Sequence, residues 1–296
     1  MHKIKIFLNM IKFEHTVFAL PFAYLGAFLA SNGLPNGWKL LWITLAMIGA
    51  RTAALSLNRL IDRHIDALNP RTATRALPKG QLKLFEVYIS IVLSFLLLGY
   101  AAYRLNMLAF KLMPIAVFFL FFYSYTKRFT WTCHFFLGMA LGLAPLGAWI
   151  GVLGYWALLP VILGLGVTVW VAGFDIIYAC QDVEFDCKKG LHSIPARFGL
   201  ANSLIISKIL HVFAALLFLT VGILAQLSVL YFAGLAIAVY LLYRQQRLVT
   251  VDDLSKVNIA FFNLNGYLSV CLFVFTAADL YFRDYLKFYH IFQNWS

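Results

Sequence analysis

Charged side chains are scarce in this sequence. They make up 12% of its 296 residues, whereas apolar residues make up 62%, and the mean hydropathy is +0.83. A soluble globular domain carries about 25% charged residues, so this composition excludes one. Runs of about 20 apolar residues cross a bilayer as helices. The sequence therefore predicts an all-α membrane protein with several spans.

Cysteine is also rare, and the N-terminus has no signal-peptide pattern. The four cysteines include no Cys-x-x-Cys pair, which argues against a disulfide framework and a zinc site. The first 15 residues are basic and amphipathic without a long apolar core or a small-residue cleavage site, so we expect them to lie at the membrane interface. Linkers and low-complexity tracts are absent. Residues 1–296 are interpreted as one transmembrane domain.

Apolar runs between polar breaks predict nine transmembrane helices in a bundle around a central cavity. Longer polar stretches follow the second, sixth and eighth helices, and those after the second and sixth are expected to form helical cytoplasmic caps. The predicted spans are 15–31, 38–58, 84–103, 106–125, 132–152, 155–178, 203–225, 227–243 and 259–282.

The net charge of +12 is explained by topology and does not require a nucleic-acid partner. With the N-terminus inside, 18 of the 24 lysines and arginines fall on the inner side and five on the outer side. Cytoplasmic loops of membrane proteins carry this excess. We expect a cytoplasmic N-terminus, an external C-terminus and a plasma (inner) membrane location, with a mitochondrial inner membrane left open.

An acidic column is predicted at the inner end of the second helix. Asn58, Asp62 and Asp66 are spaced four residues apart. At about 100° per residue, each step returns to the same helical face. The helix therefore directs three oxygen-bearing side chains to one side.

A second acidic column follows the sixth helix. Asp182 and Asp186 are four residues apart, and Asp175 lies seven residues before Asp182. That spacing places Asp175 on the same face, about 10 Å deeper in the membrane. Single acids at these positions could be solvated loop charges, but two matching columns on one side of the membrane favour a shared site.

The columns have the chemistry of a magnesium diphosphate site. Ionised carboxylates four residues apart repel each other, more so near lipid, so a cation is expected between them. Mg²⁺ takes one or two carboxylates and fills its other positions with water and phosphate oxygens. Two facing columns could hold two or three Mg²⁺ ions around a diphosphate. Basic residues that could neutralise it follow both columns: Arg71, Arg75, Lys188 and Lys189.

Other polar residues allow two interpretations each. Arg51 lies inside a predicted span and needs a partner, either Asp175 in a salt bridge or the carboxylate of a second substrate. Lys127 and Arg128 end the fourth helix and could serve the site or only topology. Glu14 and His15 are interpreted as structural.

These motifs resemble the UbiA superfamily of intramembrane aromatic prenyltransferases, and within it the enzymes that act on 4-hydroxybenzoate. The resemblance spans nearly the whole chain. It lies in N-R-x-x-D-x-x-x-D from Asn58, N-P-R-T-x-x-R from Asn69, Y-x-Y-T-K-R from Tyr123, D-x-x-Y-x-x-x-D-x-x-x-D from Asp175 and the opening E-H-T-V-F-A-L-P-F-A.

The resemblance implies a bundle whose cavity opens sideways to lipid and binds a polyprenyl diphosphate, an aromatic acid and Mg²⁺. Metal and diphosphate would be held by Asn58, Asp62, Asp66, Asp182 and Asp186. Direct diphosphate contacts would come from Arg71, Arg75, Tyr123, Lys127 and Lys188, and acceptor contacts from Arg51, Asp175 and Tyr178.

The sequence thus predicts a Mg²⁺-dependent transfer of a polyprenyl group to the ring of an aromatic acid, in quinone biosynthesis. 4-Hydroxybenzoate is the first expected acceptor, and dihydroxynaphthoate or an acid of the futalosine route to menaquinone is the alternative. A secondary transporter would need acids near the bilayer centre, whereas these columns sit mostly at the inner ends. A non-catalytic lipid-binding subunit would leave the columns unexplained.

Overall fold

The computed structural model describes residues 2–11 and 20–293, and within them it contains helices and turns but no strand. Glu14 and His15 lie outside these residues. The helices, numbered in chain order, are α1 His2–Met10, α2 Leu20–Ser31, α3 Gly37–Leu68, α4 Leu84–Leu105, α5 Met107–Thr126, α6 Cys133–Leu153, α7 Leu158–Ala179, α8 Val183–Lys189, α9 Ile194–Leu224, α10 Val229–Leu248 and α11 Asn265–Gln293. A 3₁₀ turn, Cys180–Asp182, joins α7 to α8, and a π-helical segment, Ile259–Leu264, precedes α11.

Seven helical stretches in the described part of the chain are long and apolar enough to cross a membrane, which makes this an integral membrane protein. The predicted count of nine crossings is not confirmed. Helix α2 is described only from Leu20 and has 12 residues, fewer than a bilayer needs. Helix α10 has 20 residues, but it ends in the polar sequence Arg244–Gln245–Gln246–Arg247, which shortens its apolar run.

Helix α3 is longer than predicted, and its length places the first acidic column. It continues past the apolar span to Leu68, so Asn58, Asp62 and Asp66 do lie on one continuous helix. It ends at Asn69, whose extended backbone (φ −91°, ψ 118°) is the conformation favoured before a proline such as Pro70. Proline also lacks the N–H that the next helical turn would need.

The helical cap predicted after this helix is not found. Residues 69–83 form a series of turns, closed by short-range bonds such as Thr72 N to Asn69 O (2.9 Å) and Arg75 N to Thr72 O (2.9 Å). Pro70 and Pro78 prevent a regular helix there. The stretch after α7 is helical, but a 3₁₀ turn interrupts it between Asp175 and Asp186.

Glycines let α6 and α7 pack with their backbones in contact. A Cβ added at Gly138 would overlap the carbonyl oxygen of Thr168, and one at Gly142 would overlap that of Gly164. Small residues allow this close approach between membrane helices. The approach matters for the site, because α6 carries His134 and α7 carries Asp175.

We expect Gly142→Ala to destabilise the protein, because its methyl group has no space between the two helices. Overpacking of this kind costs about 1–3 kcal/mol, or roughly 2–8 °C in the apparent Tm, measured by thermal unfolding in detergent. Gly147→Ala on the same helix is the matched control, since a Cβ there meets nothing within 4 Å. Equal Tm values for the two variants would contradict the packing account.

Candidate active site

A cavity of about 1000 Å³ lies between α3, α4, α5, α6 and α7. The end where α3 and α7 finish is lined by acids, bases and amides, and we call it the polar end. The rest of the wall is mostly apolar, with residues such as Met47, Leu98, Leu112 and Met113. Ile43 and Asp62 both line it, and 19 helical residues correspond to roughly 28 Å. The cavity is therefore long enough for a molecule with a polar head and a long apolar tail.

The first acidic column lies at the polar end, and its two carboxylates each have a cationic partner. Arg128 Nη2 donates to Asp62 Oδ1 at 2.9 Å, and the Asn58 amide donates to Asp62 Oδ2 at 2.8 Å. Arg75 Nη1 lies 2.6 and 2.7 Å from the two oxygens of Asp66. The acids on this helix face are thus neutralised by the 69–83 turns and by the residues just after α5.

The second column is neutralised in the same way. Arg71 forms a bidentate pair with Asp182, in which Nε lies 2.9 Å from Oδ1 and Nη2 contacts Oδ2. Asn69 Nδ2 also donates to Asp182 Oδ1, at 2.9 Å. Burial alone would lower the pKa of Arg71, but its hydrogen bonds to Asp182 raise the pKa above the ordinary value. These contacts tie the segment after α3 to the segment after α7.

Asp186 is the most buried of these acids, with a fully buried side chain. Lys127 Nζ lies 2.8 Å from its Oδ1, and Ser193 Oγ donates to its Oδ2 at 3.0 Å. Lys127 therefore lines the cavity and neutralises its most buried acid. All four carboxylates of the two columns are paired one to one with basic side chains.

Asp175 and Tyr178 line the same cavity on α7. Asp175 Oδ2 lies 2.7 Å from Nδ1 of His134. The Tyr178 hydroxyl accepts a bond from Arg71 Nη1 at 2.8 Å, and its ring lies 4.2 Å, centroid to centroid, from that of Phe261. The second column and Asp175 thus share one cavity but have different partners.

Arg51 lines the cavity without the salt bridge to Asp175 that was one interpretation of it. Its Nε is buried and has no hydrogen-bond partner, and no carboxylate of the described residues pairs with it. A guanidinium in an apolar wall without a partner is costly. The salt bridge to Asp175 is therefore not formed, because Asp175 is bound to His134 instead.

Two residues that were predicted to contact the diphosphate, Lys188 and Tyr123, have other surroundings in the structure. Lys188 does not line the cavity; its side chain is 78% exposed and lies 4.0 Å from Glu184, because it is on the outer face of α8. Tyr123 does line the cavity, but its hydroxyl donates to the Ala54 carbonyl at 3.1 Å. The hydroxyl is therefore occupied by the backbone of α3.

Sequence reasoning missed or left open four cavity residues. Arg128 could have been a topology charge, although it adjoins Lys127 in the same motif. Asn69 opens the N-P-R-T motif, and Arg59 lies within the first column, where its Nη1 donates to Asn58 Oδ1 at 3.2 Å. His134 has no motif around it, and only the packing of α6 on α7 reveals it.

The fold and the cavity define an integral membrane protein with a large cavity that is polar at one end and mostly apolar beyond it. The sequence pattern of the UbiA prenyltransferase family matches residues 19–267. The chain belongs to this family of membrane prenyltransferases, and the resemblance inferred from its motifs is confirmed.

Individual relatives agree with the family assignment. A 4-hydroxybenzoate octaprenyltransferase of Xanthomonas euvesicatoria pv. vesicatoria is 32% identical over 246 residues, which cover 83% of this chain and 81% of the relative. One from Photobacterium profundum is 28% identical over 290 residues, or 95% and 98% of the two chains. The chain therefore matches these enzymes over most of their length.

Solved structures share the fold. The apo structure of a UbiA homolog from Aeropyrum pernix K1 superposes with a TM-score of 0.83 at 30% identity, covering 90% of this chain and 98% of the other. A UbiA homolog from Archaeoglobus fulgidus bound to GPP and Mg²⁺ has a TM-score of 0.72 at 20% identity, covering 93% and 99%. At that identity the second comparison supports the fold alone.

The polar end suits a magnesium ion by its donor chemistry. Among the described residues, no three His, Cys, Asp or Glu side chains already converge as a metal site, because each carboxylate is turned to a basic partner. The donors available are four carboxylates and the Asn58 amide, all hard oxygen ligands of the kind Mg²⁺ prefers. Oδ1 of Asp186 has only the Lys127 ammonium as partner.

We expect Arg71→Met to lower the apparent Tm of the ligand-free protein, because it leaves the buried Asp182 carboxylate without its cation. Breaking a half-buried pair of this kind costs roughly 1–3 kcal/mol. Adding Asp182→Asn to Arg71→Met should recover part of the loss. Lys188→Met, which breaks the exposed pair with Glu184, is the control and should leave Tm unchanged; an equal effect of both Met variants would contradict the pairing.

Proposed function

We propose that this protein transfers a prenyl group from an allylic polyprenyl diphosphate to a ring carbon of an aromatic acid, with 4-hydroxybenzoate as the acceptor. One observation carries the proposal: the wall of a single cavity combines four paired acids and bases at one end with a long apolar surface beyond them. The names of the relatives and the motifs of the chain support the same reaction.

The diphosphate would bind at the polar end. Asn58, Asp62, Asp66, Asp182 and Asp186 would hold Mg²⁺, which supplies positive charge to the diphosphate oxygens as they become a leaving group. Four basic residues that now neutralise these acids would turn to the diphosphate instead: Arg71, Arg75, Lys127 and Arg128. Charge would stay balanced through this exchange. Each base that leaves its acid would bind the anionic diphosphate, and the acids would bind Mg²⁺ in place of the bases.

Two of the predicted diphosphate contacts do not enter this set. Lys188 lies on the exposed face of α8, outside the cavity. The Tyr123 hydroxyl is bound to the Ala54 carbonyl, so Tyr123 contributes its ring to the cavity wall. The prenyl tail would follow the apolar wall between α3, α4 and α5.

The acceptor would lie between the polar end and the tail. Arg51 has no carboxylate partner among the described residues, and a guanidinium forms two parallel bonds with a planar carboxylate. We assign it to the carboxylate of the aromatic acid. Asp175 and the ring of Tyr178 would then face the ring that reacts.

The reaction breaks the bond between the allylic carbon and the diphosphate oxygen. The ring carbon ortho to the phenol then forms a bond to the allylic carbon, and the phenol oxygen supplies electron density. The ring proton leaves to a carboxylate or water, for which we assign Asp175. The Tyr178 ring would stabilise the allylic cation through its π face. The products are the prenylated acid and diphosphate.

The orientation in the membrane belongs to the proposal as well. The polar end would face the cytoplasm of a plasma (inner) membrane, as would the N-terminus. The loops at this end hold most of the lysines and arginines, and the excess of these residues in cytoplasmic loops supports this orientation. Water-soluble acceptor and Mg²⁺ would then enter from the cytoplasm, and the polyprenyl donor from the lipid. We retain nine crossings and an external C-terminus as part of this proposal.

We expect purified protein to prenylate 4-hydroxybenzoate with geranyl diphosphate, and EDTA to abolish the reaction. Asp62→Ala should lower turnover by about 10²-fold or more, since it removes a carboxylate that places the charge on the leaving group. Product formation is followed by chromatography and diphosphate release by a coupled assay. Asp252→Ala, an exposed acid between α10 and α11, is the control and should retain full activity.

The two readouts separate the halves of the proposal. Diphosphate release without consumption of 4-hydroxybenzoate would overturn this acceptor and lead to dihydroxynaphthoate and the acids of the futalosine route. No diphosphate release from any allylic donor would overturn prenyl transfer and lead to transport assays.

Arg51→Leu should weaken the apparent affinity for the aromatic acceptor, raising the acceptor KM by about 10- to 100-fold, the value of a hydrogen-bonded charge pair. The KM for geranyl diphosphate should stay unchanged. Arg51→Lys should recover little, because an ammonium lacks the planar fork. Arg247→Leu removes an exposed arginine outside the cavity and serves as control. An Arg51→Leu variant with altered donor KM alone would contradict the assignment.

A further inference from the structure

Asp175 differs from the other carboxylates of the cavity in its partner. Each of the four acids in the two columns is paired with a lysine or an arginine. Asp175 has no such partner in the described part of the chain, and His134 is the side chain that binds it. Its side chain is 21% exposed, whereas that of His134 is 3% exposed. A buried imidazole is therefore hydrogen-bonded to a carboxylate that is still partly exposed to the cavity.

The hydrogen bonds of His134 assign its proton. Nε2 lies 3.3 Å from the backbone nitrogen of Ile194, and a backbone N–H can only donate, so Nε2 accepts. The proton of a neutral imidazole is then on Nδ1, which donates to Asp175 Oδ2 at 2.7 Å. His134 thus orients Asp175 through a hydrogen bond from Nδ1.

The ring of His134 is held from three elements. Its own helix, α6, packs against α7 through Gly138 and Gly142. Ile194 begins α9 directly after Ser193, which caps that helix by accepting from Ala196 N at 3.2 Å. Contacts from α6, α7 and α9 thus fix the ring of His134 beside Asp175.

Only one oxygen of Asp175 is used in this arrangement. Oδ2 accepts the bond from His134, while Oδ1 has no donor among the described residues, and Asp175 lines the cavity. A lysine or arginine partner would compete with a substrate for this oxygen and weaken it as a base. The hydrogen bond from His134 reaches Oδ2 and leaves Oδ1 available.

We propose that His134 is a positioning residue that holds Asp175 so that its free oxygen accepts a hydrogen bond from the ring hydroxyl of the aromatic acceptor. The inference rests on the proposed function and deepens it. Arg51 would bind the carboxylate of the acceptor, and the Asp175–His134 pair would select for a hydroxyl group on its ring.

Variants of His134 that keep one of its two bonds test this directly. An asparagine amide lies near the position of Nδ1 and can still donate to Asp175. A glutamine amide reaches the position of Nε2 and can accept from Ile194 but leaves Asp175 without a donor. We expect His134→Gln and His134→Leu to raise the acceptor KM about tenfold or more, and the acceptor Kd by calorimetry equally, with 4-hydroxybenzoate as the probe. His134→Asn should recover most of both.

The KM for geranyl diphosphate should change less than twofold in all three variants. His211→Asn is the matched control, because His211 is another buried histidine and does not line the cavity; it should leave both KM values unchanged. Unfolding temperatures are measured for each variant, and the comparison of Asn with Gln holds even where His134→Leu does not fold.

The outcomes distinguish this inference from the function on which it rests. Wild-type protein that transfers no prenyl group to any hydroxylated aromatic acid overturns both. Active wild-type protein with equal acceptor KM and Kd in the Asn and Gln variants overturns the positioning role alone. If the KM for the donor and the KM for the acceptor rise in parallel, His134 only supports the fold. That result would also overturn the positioning role.

Discussion

The structure depends on the neutralisation of carboxylates at the edge of a low-dielectric membrane. A bare carboxylate there is costly, and four of them converge where α3 and α7 end. The chain meets this cost by pairing each acid with one lysine or arginine. Those bases come from the 69–83 turns and from the end of α5, so the ion pairs also hold these segments over the cavity.

This arrangement serves a ligand that carries its own negative charge. The bases are bound to acids that suit a divalent cation, and both sets can be redistributed when metal and anion enter together. Arg71 shows the principle most clearly. It contacts Asp182 through two nitrogens and Tyr178 through a third, so one side chain connects the proposed metal ligands with the ring that would face the reacting carbon.

Two kinds of carboxylate therefore occupy one cavity. Those paired with lysine or arginine are suited to charge balance, whereas Asp175, bound by a histidine through one oxygen, retains the other oxygen for hydrogen bonding or proton transfer. The two kinds differ in the partner of the acid and not in the acid itself. Close packing of α6 on α7 determines the partner of Asp175, because glycines at the contact bring His134 within hydrogen-bond distance of it.

Composition and short spacings were enough to predict the membrane class and the common helical face of Asn58, Asp62 and Asp66, because helix geometry is local and regular. The family came from the resemblance of the motifs to known enzymes. The partners of these side chains follow instead from the tertiary structure. Arg71 and Asp182 are 111 residues apart, and His134 and Asp175 are 41 apart. Such contacts depend on the depth and rotation at which helices pack, and no local spacing encodes these. For the same reason, Lys188 was expected in the site although α8 turns it outward.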